Sequence, residues 1–244
     1  MSTVGGKIIT EKSFADFLAI YSANPKPILF WDTCGMLEYI RFVYRENKGV
    51  TTLNAMLDIA SRIINHDIYS VTSELAAIEW DDNVGIVMDD MEKSLNRTEV
   101  CHSLAVETIN KLYGFTYTSV DITAFQIKEM LRDLSLNMAE LTHFLLFKDI
   151  TEATLERVAM KTPPAHKKGG EIKDCAMWES MIHLCDVINM AMPDGSPNKV
   201  FYTVNINDFA DRGRGRVYFN ELQEEAKQKG FYCTFDIDDA AGRL

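Results

Sequence analysis

The sequence has no pair of cysteines at C-x-x-C spacing. Cys34, Cys101, Cys175, Cys185 and Cys233 are scattered and odd in number, so neither a zinc ribbon nor a disulfide framework is expected, and the thiols read as reduced and buried. The five histidines are as dispersed, with no H-E-x-x-H, which sets aside a zinc hydrolase. No apolar run approaches the roughly 20 residues that cross a bilayer. The stretch Met1 to Lys12 lacks the apolar core of a secretory signal, so the expectation is a cytoplasmic protein without a membrane partner. Positive charge is the scarce kind: 25 Lys and Arg stand against 36 Asp and Glu, a net charge of −11. That argues against broad, nonspecific attraction to phosphate backbones. A local basic patch still suffices for a nucleic acid ligand, and a site built of carboxylates itself adds negative charge. No internal repeat, Ser/His/Asp or Cys/His arrangement stands out.

What is there is an ordinary globular composition, 47% hydrophobic and 25% charged over 244 residues, enough for one domain with a real core. Ser13 to Ala23 reads as a short helix with Ser13 as its N-cap. Ile28-Leu29-Phe30-Trp31 is a continuous apolar run closed by Asp32, the pattern of a strand covered on both faces. Helices are expected near Gly35–Arg45 and Thr51–Asn65, a strand over His66–Val71, and another helix from Ser73 through Trp80. From about Asn83 to Thr162 the pattern is helical, with apolar residues every three or four positions. This segment, 83–162, reads as a helical insertion or subdomain within a single domain spanning 1–244. The Pro- and Lys-rich stretch Lys161 to Gly170 is a loop opening onto a helix over Glu171–Met192. Lys199 to Val204 is a second buried-type strand, Asn220–Lys229 a helix stopped by Gly230, and Phe231 to Ile237 a last strand. Strands separated repeatedly by helices imply an α/β fold with a parallel sheet. In such sheets functional groups gather beyond the carboxyl ends of the strands, where Asp32, Asn205 and Asp208 fall.

Each acid has an ordinary structural explanation. Asp32 can cap the helix that follows it, Asp174 stands in a first helical turn that favours acids, and Asn205 with Asp208 can make an Asx turn. The ordered set is more specific: Leu29-Phe30-Trp31-Asp32-Thr33, the helix bearing Glu79, Gly-Gly-Glu-Ile-Lys-Asp174 with Trp178-Glu179, and Thr203-Val-Asn205-Ile-Asn-Asp208-Phe209. This resembles the PIN-domain nuclease family, in a branch whose third motif runs Gly, a few residues, Asp, then Trp-Glu. The resemblance covers residues 26–82 and 163–238 and leaves the helical middle aside. It implies a PIN-like three-layer fold and divalent-metal-dependent endoribonuclease activity on single-stranded RNA, with Mg²⁺ or Mn²⁺ as cofactor. Asp32, Glu79 (or Glu74 in its place), Asp174 and Asp208 would be the catalytic acids. The metal ligands would be the same acids with Asn205, which stands where the family often has Asp. Mg²⁺ prefers oxygen ligands and keeps several waters, so few carboxylates are needed.

Lys167, Lys168, Arg212 and Arg214 are candidate phosphate contacts, with Arg216 in the same Gly-Arg stretch, and Trp80 or Trp178 offers base stacking or, more simply, core packing. A role as toxin or defence effector, a neutralising partner protein and a homodimer all fit such a chain. Two rivals stand beside this reading. One is a non-catalytic PIN-like binding module, favoured by Asn205 and the acidic charge. The other is a phosphatase of the haloacid dehalogenase kind, which would need a second acid where the sequence has Cys34.

Overall fold

A computed structural model describes residues 3–4, 6–45, 49–165, 172–211, 213 and 215–244. Its centre is a six-stranded, wholly parallel sheet in the order β3 (Thr10–Lys12), β6 (His143–Leu145), β5 (Tyr69–Ser73), β4 (Ile28–Trp31), β7 (Lys199–Tyr202), β8 (Tyr232–Thr234). Thr3–Val4 (β1) and Lys7–Ile8 (β2) pair separately as an antiparallel ladder.

Helices cover both faces. On one lie α2 (Thr33–Arg41), α3 (Val50–Ile64), α4 (Leu75–Tyr113), α5 (Ile127–Leu141) and α10 (Ile237–Arg243). On the other lie α1 (Phe14–Ala23), α6 (Thr151–Met160), α7 (Ile172–Ala191) and α9 (Asn220–Lys229). All four residues of β4 are buried, because alternate side chains meet different layers. Phe30 and Phe201 stack towards Trp178 of α7, whereas Trp31 meets Tyr39 of α2 edge-on and its Nε1 donates to Ser70 Oγ at 3.0 Å. Trp80 is likewise core: its Nε1 donates to Ser135 Oγ at 3.2 Å, joining α4 to α5. Each such ring withdraws a large apolar surface from water, about 1.5–3 kcal/mol per side chain. Neither Trp80 nor Trp178 presents a free face to a base.

Local chemistry sets many of the boundaries. Ser13 caps α1, its Oγ accepting from Asp16 N at 3.1 Å, and Gly230 ends α9 in the left-handed conformation, φ 73°, as the sequence suggests. The helix expected over Gly35–Arg45 begins earlier and ends at Arg41, with a 3₁₀ turn over Phe42–Tyr44. The segment 83–162 is not helical throughout: His143–Leu145 is β6, an interior strand between β3 and β5. Three residues are too short for a strand pattern to register against flanking helices. The last strand is shorter than expected, and the chain closes on α10, capped by Asp236, whose Oδ1 accepts from Asp238 N at 2.9 Å. Among the described residues no helix is long and apolar enough to cross a membrane. The five cysteines are free, but only Cys175 and Cys185 are fully buried; Cys101 is exposed.

Candidate active site

The chain leaves β4 for β5 on one side and returns to β7 on the other, so the strand order reverses between β4 and β7. Such a switch point leaves a crevice beyond the carboxyl ends of the two strands. Asp32 follows β4 there, 3% exposed, and its backbone N–H donates to Tyr202 O across the gap at 3.2 Å. It caps α2: Oδ1 accepts from Cys34 N at 3.3 Å. Its other oxygen, Oδ2, accepts from the buried hydroxyl of Thr203, just past β7, at 2.6 Å. Thr203 Oγ1 also accepts from Asn205 N at 2.9 Å, turning the chain into the short helix α8 (Ile206–Phe209). Gly35 lets α2 start close against β7, since a Cβ there would lie 3.0 Å from the Tyr202 ring.

Asp174 stands in the first turn of α7, with Oδ1 accepting from Asn205 Nδ2 at 3.1 Å. Burial, then the charges of Asp32, Asp208 and Glu79, push its pKa up to about 8 against the single opposing bond from Asn205. Burial and then Glu79 push Asp32 up to about 6, with the Thr203 hydroxyl working the other way. Asp32, Glu79 and Asp174, from three separate stretches, are thus near enough to repel one another, and Asp208 adds its charge at Asp174. Among the described residues no lysine, arginine or histidine forms an ion pair with Asp32, Glu79 or Asp174.

Glu79 and Glu74 part company here. Glu79 acts on both aspartates, whereas Glu74 Oε1 accepts from Phe147 N at 2.6 Å, tying the start of α4 to the end of β6. Glu179, of the Trp178-Glu179 pair, accepts from Arg157 Nε, and Trp178 Nε1 donates to Glu225 Oε2 at 2.7 Å. Both residues of that pair therefore fasten α7 to its neighbours. Lys167, Lys168, Arg212 and Arg214 lie outside the described residues.

Three site residues were not singled out from sequence for these roles. Thr203 binds Asp32, and its only signal was a hydroxyl directly after a buried strand. Cys34 stands two residues after Asp32: the charge of Asp32, then burial, then Glu79 push its thiol well up, so it is held neutral. Arg41, two turns further along α2 on the same face, partly offsets that rise with its positive charge.

Among the described residues no three acidic, imidazole or thiol groups close on one point as a ready-made cage. The donor set nevertheless fits a hard divalent cation: it is all oxygen and negatively charged, and Mg²⁺ commonly binds through one or two carboxylates and its own waters. Comparison with protein-family models, curated proteins and solved structures gives no match.

Proposed function

We propose that the chain is a PIN-like, divalent-metal-dependent endoribonuclease that hydrolyses phosphodiester bonds of single-stranded RNA. The observation that carries this reading is that one turn ties two acids together at the switch point, the Thr203 hydroxyl binding Asp32 and the Asn205 amide binding Asp174, with the charges of Glu79 and Asp208 felt there too. Buried acids that repel one another are unfavourable in isolation and become favourable around a cation.

In this reading Asp32 and Asp174 are the principal ligands of Mg²⁺ or Mn²⁺, with Glu79, Asp208 and the Asn205 carbonyl oxygen around them. When bound, the metal supplies a water of lowered pKa and stabilises charge on the leaving oxygen. The protein's own part is to fix the acids. Thr203 holds Asp32 Oδ2, Asn205 holds Asp174 Oδ1, and the Asp32 cap keeps α2 in register with both. Arg41, whose charge is felt at Cys34, suits a substrate phosphate. Cys34, a neutral thiol where a phosphatase of the haloacid dehalogenase kind needs an acid, favours the nuclease.

The non-catalytic binding module remains the second reading, favoured by Asn205 directing its amide nitrogen at Asp174. The deciding experiment is cleavage of a fluorescent single-stranded RNA with Mn²⁺, with Mg²⁺ and with EDTA. Divalent-dependent cleavage that vanishes in Asp32→Asn and in Asp174→Asn is expected. Wild-type cleavage by either variant would sink the assignment.

A further inference from the structure

Beside the acid group, along the β8 edge of the sheet, lies a cavity of about 630 Å³. Its floor is the edge strand with its flanking residues, 231–235, one wall is α9, and the facing wall is the stretch 216–218. The size falls within the roughly 300–1,000 Å³ of small-molecule sites. Its sides are largely aromatic. Tyr218 stacks on Phe235 with ring centroids 4.0 Å apart, and its hydroxyl donates to Thr234 O at 3.1 Å, so the ring is a fixed wall. The same carbonyl, Thr234 O, also accepts from the backbone N–H of Thr203 at 3.3 Å, and the Thr203 hydroxyl binds Asp32, so the ring is linked through one residue to the acid group.

Two cations line the cavity, Arg216 and Lys227. Arg216 is oriented by a bond from its Nη2 to Phe235 O at 3.2 Å. The acid of the lining, Asp236, is engaged in capping α10. Aromatic walls with two cations thus lie close to the acids in a chain of net charge −11. Flat bases seek aromatic surroundings and phosphates seek guanidinium and ammonium groups.

We propose that this cavity is a nucleotide subsite, taking one base of the single-stranded RNA while Arg216 and Lys227 hold the adjoining phosphate. This rests on the ribonuclease reading and adds to it the place where the strand is gripped away from the acids. An open edge strand can also add a peptide as a further strand. A three-residue strand offers few backbone groups for that, and the aromatic sides and cations suit a base and phosphate better.

The test uses the full chain in EDTA, so that binding is read apart from cleavage. Each of the four common nucleoside 5′-monophosphates is titrated while the amide resonances of Cys233 and Thr234 are followed by NMR. At least one is expected to bind with a Kd below about 1 mM, with shifts confined to β8, α9 and the 216–218 wall. Lys227→Ala should weaken it about fivefold, while Lys93→Ala, which removes an exposed charge from α4, should not. Cys233→Met narrows the cavity without changing charge and should weaken binding too, in a protein whose melting curve shows that it is folded. No binding by any of the four, in a wild-type chain that still cleaves RNA, overturns the subsite and leaves the nuclease standing. Shifts caused by an extended acidic peptide but by no nucleotide overturn it in favour of strand addition. Nucleotide binding in a chain that cleaves no RNA with any divalent metal removes the reading beneath it, and the substrate subsite falls as well.

Discussion

The hydroxyl of Thr203 donates to Asp32 Oδ2 at 2.6 Å, joining residues 171 apart in sequence at the point where the ends of β4 and β7 diverge. A hydrogen bond to the ionised form of a buried acid opposes the rise that burial imposes. Thr203→Val keeps the shape and removes the donor. The Asp32 carboxyl, already pushed up to about 6, is expected to rise further, as read by carboxyl-carbon NMR of the metal-free protein. A buried acceptor left without its donor also costs about 1–3 kcal/mol. An unchanged Asp32 titration would mean that the bond does not form in solution.

The raised acids fix the sign of a pH dependence. A carboxyl whose folded pKa exceeds its unfolded value binds protons more tightly in the native state, so stability declines as pH rises between the two values. For Asp174 the window runs from the ordinary 3.8 to about 8, and for Asp32 from 3.8 to about 6. Asp174→Asn should therefore stabilise the metal-free protein at pH 8.5 by about 1 kcal/mol, or about 2–4 °C in Tm. The gain should fade towards pH 4, where the native aspartate is already protonated. Melting curves in EDTA at several pH values check this, and a gain that grows on acidification would contradict it.

Arg41 has no described acid as an ion-pair partner, yet its charge is felt at the Cys34 thiol, as are those of Asp32 and Glu79. A guanidinium so placed can take a phosphate in charge-assisted, bidentate hydrogen bonds. Arg41→Ala is expected to raise KM for a short RNA about tenfold with a smaller change in kcat, since a phosphate contact retained through the reaction acts mainly on binding. Arg41→Lys should recover part of the loss. A pure kcat effect would instead make Arg41 a support for α2.

A largely buried ion cluster ties α6, α7 and α9 together. Arg157 Nε donates to Glu179 Oε1, and its Nη2 donates to both oxygens of Glu225 at 2.9 and 3.0 Å. Removing one partner leaves buried charge uncompensated, a loss of about 3–5 kcal/mol. Arg157→Leu is thus expected to lower Tm by roughly 10 °C without altering the acids themselves. Replacing Arg157, Glu179 and Glu225 together by apolar residues should restore much of that loss, which a thermal melt of the triple variant would show.

How far the sequence discloses this molecule depends on how much of each signal is local. Ile28–Trp31 declares itself because a strand covered by two helical layers must be apolar at every position. Asp32 and Asp174 are visible because strand ends and first helical turns are places where an acid stands out. By contrast β6 is three residues long, and its identity lies in two neighbouring strands far away in the chain. Thr203 and Arg41 are ordinary residues until the fold sets one against Asp32 and the other against Cys34. The bond from Phe147 N to Glu74 is likewise a contact that no local pattern contains.

The helix α4 offers a last test, because it changes character along its length. From Leu75 to Leu95 it buries Ala76, Ala77, Trp80, Val87, Met91 and Leu95, and from there to its left-handed cap at Gly114 it buries nothing. The outer part leaves Val100, Leu104 and Leu112 exposed at 68%, 64% and 72%. It is braced by the returning chain through Thr123 N to Glu99 Oε2 and a pair of bonds between Asn110 and Tyr117. Isolated helices of this length are marginal in water, and local opening is governed by how little a segment buries. In dilute monomeric protein, amides of 98–113 should exchange with an opening free energy below about 2 kcal/mol, while those of 80–95 approach the global stability. Equal protection along α4 in a proven monomer would contradict this account. Protection of 98–113 that rises with protein concentration, alongside a larger mass by light scattering, would instead show that a second copy covers the exposed stripe.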